Sequence, residues 1–465
     1  MKKFIYYIII INIFNLIVCA NLENDLQNII SQIEQDAYFG IKVFDIKNEI
    51  SLAQNNAHHL FLPASNLKLF TAAAALFYLG PDFKFSTEIL TDGDVVEDTV
   101  EGNLYLKASG DPSLKYKDVE NLVAELSKNN ITKIKGNLII DSSEFDDIEF
   151  GPGWAWDDGP FFFNSPINAF CVNHNCVKIK IGFNGESYIN LTPATNYVTI
   201  RSELTVDYSL EKPKISINRS WRQKENIIAI TGSVPPVEFE QKYYLTIEKP
   251  ERFVAYLFLE LCNKYKIILD GTILKGHTPR SCKILAQHNS AQLKILIRRL
   301  LKNSDNLYAE CFFKKIGCHL FGKPGTWQNG QLALYEFLEK ILNLNTKNLK
   351  IVDGSGLSRY NLVCPENITS LLKWIYKSEL SDHFINALPC AGIDGTLKDR
   401  MQQGQAYQIV RAKTGSLGGV TSLSGYVLNS NPLAFSILIN NFVKPSQNYK
   451  ILEDEICNKL VQLSN

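Results

Sequence analysis

The chain has 465 residues, 45% of them apolar, and its 48 Lys+Arg are matched by 48 Asp+Glu. That length and apolar share support two or three domains with real cores and exclude a disordered chain. A formal net charge of zero leaves no global field for nucleic acid or an anionic membrane surface, so charged recognition must be local.

Residues 1–20 run from Met1-Lys2-Lys3 through an apolar stretch to Val18-Cys19-Ala20 and read as a secretory signal peptide cleaved after Ala20. The competing readings are an uncleaved anchor and, through Cys19, a lipidated N-terminus, which Val18 disfavours because a small residue belongs before a lipidated cysteine. No later stretch is long and apolar enough to span a bilayer. A helix is predicted over Asp25–Gln35, then a strand from Tyr38 to Ile46, a turn and a second short strand.

Next comes Pro63-Ala-Ser-Asn-Leu-Lys-Leu-Phe-Thr-Ala-Ala-Ala-Ala-Leu-Phe-Tyr-Leu-Gly80, which reads as one helix with a Pro start and a Gly stop. Its only charge is Lys68, and apolar residues stand on nearly every face, so the helix is expected to be buried all round. Past Pro81 short strands alternate with Gly, Asp and Asn to about Cys282. Helical periodicity returns at Ser290–Lys302, Leu307–Phe321, Gln331–Leu342 and Asn367–Lys377. Strands at Gln408–Gly415, Thr421–Leu428 and Leu433–Asn441 follow, and a helix over Ser446–Leu463 closes the chain. The first and last strands are expected to share one sheet, which makes the middle an insertion.

Ser65 and Lys68 are three apart and fall on one helix face. Burial disfavours a charged lysine, and a neutral amine can take the proton of a serine hydroxyl, which is a weak nucleophile unaided. The plainer reading is a helix cap and a lysine reaching for solvent. Ser304-Asp305-Asn306 lies at a helix junction, where short polar side chains are ordinarily caps. Lys413-Thr414-Gly415-Ser416 ends a strand; a lysine there usually protects an edge, but Gly415 marks the close approach of another backbone or a ligand.

Removing Cys19 from ten cysteines leaves nine, thinly scattered, which is no disulfide scaffold. Cys171 and Cys176 flank a short loop and are a candidate bridge; Cys311 and Cys318 stand two helical turns apart, too far to bond. There is no Cys-x-x-Cys or His-Glu-x-x-His, and His58-His59 lack a companion at metal spacing, so no metal or other cofactor is expected.

Ser-x-x-Lys, Ser-x-Asn and Lys-Thr-Gly in this order form the motif set of penicillin-binding proteins and serine β-lactamases. The wide gap between Ser65 and Ser304 resembles that of the low-molecular-mass class C D-alanyl-D-alanine carboxypeptidases, peptidase family S13, of the penicillin-binding protein 4 type. Gly110-Asp-Pro-Ser-Leu114, Gly151–Asp158, Asp353–Arg359 and Ala391–Leu397 look like stretches of that family, and the resemblance spans nearly the whole mature chain.

It implies an α/β fold: a penicillin-recognising, transpeptidase/β-lactamase-like domain (antiparallel sheet with helices on both sides) at 21–82 and 283–465. Inserted β-rich domains are implied at 83–164 with 241–282, and nested within them at 165–240. It also implies a periplasmic serine DD-peptidase whose partners are peptidoglycan stem peptides and β-lactam antibiotics, not nucleic acid; its oligomeric state, monomer or dimer, stays open. Ser65 would be the nucleophile, Lys68 the base, Ser304 a proton relay and Asn306 a substrate ligand. Lys413 and Thr414 would hold a terminal carboxylate, Gly415 would let the strand approach, and the N–H groups of Ser65 and Ser416 would form the oxyanion hole. Asp158, Phe163 and Arg359 would line a side-chain pocket, with Asp158 facing a diaminopimelate ammonium. Gly418 stands where some relatives carry glutamine, which bears on fine specificity. A DD-endopeptidase acting on cross-links and a catalytically dead wall-binding protein are the alternatives; a β-lactamase fits less well, because no deacylating Glu is identifiable.

Overall fold

The structure, a computed structural model, describes residues 22–31 and 37–464. The expected signal peptide and the end of the expected Asp25–Gln35 helix lie outside the described residues; 22–31 are helical. The described chain forms two compact units, one comprising residues up to Asp82, Leu293–Asp305 and Trp327 onward, the other Phe83–Gln292 and Asn306–Thr326.

In the first unit, β1 (Tyr38–Asp45), β2 (Ile50–Asn55), β3 (Val410–Leu417), β4 (Val420–Val427) and β5 (Leu433–Asn440) form one antiparallel sheet in the order β3-β4-β5-β1-β2. The two chain ends meet where β1 pairs with β5, Tyr38 opposite Asn440 and Asp45 opposite Leu433. Every residue of β4 and β5 is buried, so both faces of the sheet centre are covered, which is why these strands read as continuous apolar or small-residue runs.

Helix α1 (Lys68–Leu79) is buried from Lys68 through Leu76 and ends at Gly80, whose φ of 83° only glycine adopts freely. It does not begin at Pro63 as a regular helix: Ala64–Leu67 form a 3₁₀ turn with Ala64 at φ 46°. In a 3₁₀ turn side chains three apart eclipse one another, which sets residues 65 and 68 more nearly in line than an α-helix would. Helix α2 (Leu293–Asn303) leads to Ser304, and α3 (Pro365–Lys377) buries Ile368, Leu371, Leu372 and Ile375, one stripe at helical spacing. Tyr426 of β4 donates its hydroxyl proton to the Leu372 carbonyl at 2.8 Å. Helix α4 (Ser446–Leu463) adds Tyr449, Leu452, Ile456 and Leu460 to the core that holds Val427, Leu433 and Phe435.

The second unit contains a five-stranded mixed sheet, in the order Ile273–Lys275, Leu138–Asp141, Leu104–Ala108, Ser86–Thr91, Lys283–Asn289. A small four-stranded sheet and two three-stranded sheets complete its β structure, the latter two formed between Cys176 and Thr246. This unit starts where the expected insertion starts but reaches further: Lys283–Asn289 pairs with Ser86–Thr91, and the helix Asn306–Phe321 packs within it.

None of the nine described cysteines forms a disulfide. The candidate Cys171–Cys176 bridge is not made: the intervening turn runs through left-handed conformations at Asn173, His174 and Asn175, Cys171 Sγ lies 3.5 Å from Cys311 Sγ, and Cys176 Sγ lies 3.5 Å from Ser165 Oγ. Among the described residues no helix is long and apolar enough to cross a membrane.

Candidate active site

Ser65 sits in the 3₁₀ turn at the start of α1, and Lys68 Nζ donates to its Oγ at 2.8 Å. Lys68 is wholly buried, so its remaining protons need acceptors, and the Ser355 carbonyl supplies one at 2.8 Å. That carbonyl is aimed by a loop tied to Asp353, whose carboxylate accepts from the Gly356 and Ser358 amides at 2.9 and 2.7 Å and from Asn361 Nδ2 at 2.8 Å. Gly356, at φ 81°, passes so close to the Ala64 carbonyl that any Cβ there would overlap it. Thr71 Oγ1 donates to the Gly354 carbonyl at 2.6 Å, fastening the same loop to α1.

Strand β3 brings the other cation. Lys413 is wholly buried and donates to Ser304 Oγ at 2.8 Å and to the Thr414 carbonyl at 2.6 Å. Burial holds its ammonium well below the ordinary lysine range, and the neighbouring Lys68 charge pushes the same way. Ser304 occupies a left-handed conformation at φ 57°, costly for a residue with a Cβ and common where a side chain is held for function. Thr414 Oγ1 donates to Thr396 Oγ1 at 2.7 Å, Gly415 is buried and Ser416 is exposed. A Cβ on Gly415 would lie 3.0 Å from both Pro63 O and Ser65 N and would overlap Ser422 Oγ. The strand therefore seats directly against the turn that carries Ser65, and Ser422 Oγ donates to Pro63 O at 2.9 Å to hold it there. Asn66 Nδ2 adds a donor to Ser424 Oγ at 2.8 Å.

Arg359 lies beside the end of β3, its Nη2 donating to the Gly418 carbonyl at 2.8 Å and standing 3.1 Å from where a Cβ on residue 418 would be. The guanidinium thus occupies space a longer side chain at 418 would use. Behind the sheet, Thr421 Oγ1 donates to Glu453 Oε1 at 2.9 Å, and Arg400 Nη2 reaches the other oxygen at 2.9 Å. Desolvation lifts the Glu453 carboxyl to about 7 against the opposing pull of Arg400.

In the second unit, Asn306 opens its helix and donates from Nδ2 to the Phe163 carbonyl at 2.9 Å, so these two expected site residues are brought together. Phe163 is exposed and stacks on Phe161 with centroids 6.3 Å apart. Asp158 is half-buried, in a turn whose amide donates to the Ala155 carbonyl at 3.2 Å. The first unit gathers Ser65, Lys68, Ser304, Lys413, Thr414, Gly415, Ser416 and Arg359; the second carries Asn306, Phe163 and Asp158. Sequence reasoning missed the Ser355 carbonyl and Thr396; the glycines of Asp353-Gly-Ser-Gly356 and Gly395 were the available signal, since tight backbone approach needs them.

A buried amine bonded to a serine hydroxyl, beside a second buried amine within a glycine-bearing strand, is the equipment of an active-serine acyl-transfer enzyme, built on the antiparallel sheet of the penicillin-recognising fold. The chain belongs to the D-Ala-D-Ala carboxypeptidase 3 (S13) family, whose model matches residues 22–458. It is 30% identical over 436 residues to the D-alanyl-D-alanine carboxypeptidase DacB of Haemophilus influenzae, covering 92% of this chain and 90% of that one. It is 31% identical over 430 residues to the D-alanyl-D-alanine carboxypeptidase of Actinomadura sp. (strain R39), covering 89% and 79% respectively. The crystal structure of penicillin binding protein 4 from Haemophilus influenzae superposes with a TM-score of 0.83 at 28% identity, covering 94% of this chain and 99% of that chain.

Proposed function

We propose that this chain is a periplasmic serine DD-peptidase, exported by residues 1–20, that removes the terminal D-alanine from peptidoglycan stem peptides and is acylated by penicillins. The observation that carries the reading is the 2.8 Å contact between the wholly buried Lys68 Nζ and Ser65 Oγ. In the neutral form of Lys68 the same contact runs the other way, with the serine hydroxyl donating. Ser65 Oγ then attacks the D-Ala-D-Ala carbonyl as its proton passes to Lys68, and the oxyanion is met by the Ser65 and Ser416 amides. As the tetrahedral intermediate collapses, the proton reaches the leaving amine through Ser304, D-alanine departs, and water hydrolyses the ester on Ser65.

Lys413 and Thr414 would bind the terminal carboxylate, with Asn306 on the substrate amide. An arriving carboxylate favours the charged form of Lys413, which burial and Lys68 disfavour in the free enzyme. Asp158, Phe163 and Arg359 would read the peptide side chain, Asp158 through a free diaminopimelate ammonium.

Mass spectrometry of purified muropeptides tests the reading. Monomeric pentapeptides should lose one D-alanine. Cleavage of cross-linked dimers with monomers left intact would make the enzyme a DD-endopeptidase, and no cleavage of either would leave a wall-binding protein.

A further inference from the structure

The second unit contains a cavity of about 500 Å³ whose lining includes Trp154, Trp156, Asn164, Arg219, Trp221 and Glu248. Its size falls in the range of roughly 300–1,000 Å³ typical of small-molecule sites. None of these six residues belongs to the chemistry proposed for Ser65, and the site stands apart from that proposal in its evidence.

The rim is aromatic. Trp156 is 70% exposed, an unusual place for an indole, and its ring centroid lies 6.3 Å from that of Trp221. The Arg222 guanidinium lies 4.9 Å from the Trp156 ring centre and 5.4 Å from that of Trp221, which helps hold the two rings in place. Lys224 also borders the cavity.

The deeper lining is polar and incompletely satisfied. Arg219 is 3% exposed, donates from Nη1 to Glu248 at 2.7 Å and to the Glu225 carbonyl at 3.1 Å, and reaches Thr246 Oγ1 from Nη2 at 3.4 Å. Its Nε–H has no partner among the described residues. Asn164 is 8% exposed and donates from Nδ2 to the Gly159 carbonyl at 3.2 Å, while its Oδ1 likewise has no partner among the described residues. Buried groups left in this way are costly unless something else completes them. Two residues of the lining therefore each carry one unanswered buried polar atom, a donor on Arg219 and an acceptor on Asn164, with the Arg219 charge already paired with Glu248.

We propose that this cavity binds an N-acetylated pyranose of a glycan strand. An acetamido group has one carbonyl and one N–H, the complement of the Arg219 Nε–H and the Asn164 Oδ1. The indoles of Trp156 and Trp221 offer apolar faces to the C–H surface of a sugar ring; the Arg219 charge is paired with Glu248, and Arg222 and Lys224 leave the rim cationic. Such a site would let the protein hold the glycan while Ser65 acts on a peptide.

The test is titration of the full mature chain with an N-acetylglucosamine trimer, with a glucose trimer of the same length, and with a sugar-free stem peptide, followed by indole fluorescence and calorimetry. The N-acetylated trimer should bind saturably, the glucose trimer at least tenfold more weakly, and Trp221→Ala should weaken the former at least tenfold. The rate of Ser65 acylation by a penicillin should stay within twofold in Trp221→Ala, so loss of sugar binding and loss of the catalytic reading are told apart. Absence of saturable binding by the wild-type chain, or equal binding of the two trimers, overturns the proposal. So does binding of the stem peptide alone that depends on Trp221, which would make the cavity a peptide site. If Trp221→Ala does not fold by circular dichroism, the wild-type comparison of the two trimers decides.

Discussion

Replacing Gly415 with alanine probes the contact on which the proposed mechanism rests. The new Cβ would overlap Ser422 Oγ, a hydroxyl that can turn aside only by giving up its bond to the Pro63 carbonyl, and would lie 3.0 Å from Ser65 N and Pro63 O, where ordinary contact begins at 3.4 Å and the backbone cannot swing away as a side-chain tip could. With Ser422 Oγ turned aside, relief of the remaining backbone contacts requires β3 and the turn that carries Ser65 to part by about 0.4 Å, and overpacking of this kind costs about 1–3 kcal/mol. If a misplacement of about 1 Å costs on the order of 10²-fold in rate, then 0.4 Å costs roughly 5–10-fold. Stopped-flow acylation by a fluorescent penicillin would read the rate, and urea unfolding the stability. Gly425→Ala, whose Cβ would meet the Arg411 carbonyl and Ala412 within the same sheet, supplies an overpacked control without that contact to Ser65. Gly415→Ala should lose more acylation rate per kcal/mol than the control. Equal rate losses at equal destabilisation would mean that the approach of β3 to Ser65 is packing alone, and the oxyanion-hole assignment would fail with it.

Lys68→Ala should slow acylation by stem peptide and penicillin alike by about 10²–10⁴-fold, whereas Lys413→Ala should penalise chiefly ligands with a terminal carboxylate; an equal penalty from amidating that carboxylate in wild type and Lys413→Ala would refute the anchor. Asp158→Asn should cost about 10–100-fold in kcat/KM on a stem peptide with a free diaminopimelate amine and nothing once that amine is acetylated; equal loss on both peptides would show a role in the fold instead. Glu453, raised from 4.5 to about 7, binds its proton more tightly in the folded state, so its contribution is fully present below pH 4.5 and is lost as pH rises through 7. Glu453→Gln should remove a pH-dependent loss on the order of 3 kcal/mol from urea-denaturation profiles between pH 4 and 8, and profiles parallel to wild type would contradict that.

The sheet that joins the chain ends was legible because β1, β4 and β5 are apolar runs bounded by clear turns, and α1 because Lys68 is the only charge among its apolar neighbours. Gly415 announced a close approach, and the approach is to Ser65 N. What escaped is long-range. The Ser355 carbonyl that completes Lys68 lies 287 residues away and contributes only backbone, which leaves no side-chain signature. Lys283–Asn289 has ordinary strand character, and its membership of the second unit depends on a partner at Ser86–Thr91. The 3₁₀ turn was hidden because Ala64 gives no warning of a positive φ. Cys171 meets Cys311 rather than its near neighbour in sequence, because the turn after it carries Cys176 toward Ser165.

The central claim is that Ser65 is the nucleophile. Incubation of the purified protein with a penicillin, proteolysis, and tandem mass spectrometry of the peptide spanning residues 63–68 tests it directly, with Ser65→Ala, folded by circular dichroism, treated in parallel. The account predicts one penicilloyl group on Ser65 and none anywhere on Ser65→Ala. An adduct on another residue of the wild-type chain, or undiminished labelling of the folded Ser65→Ala protein, would contradict it.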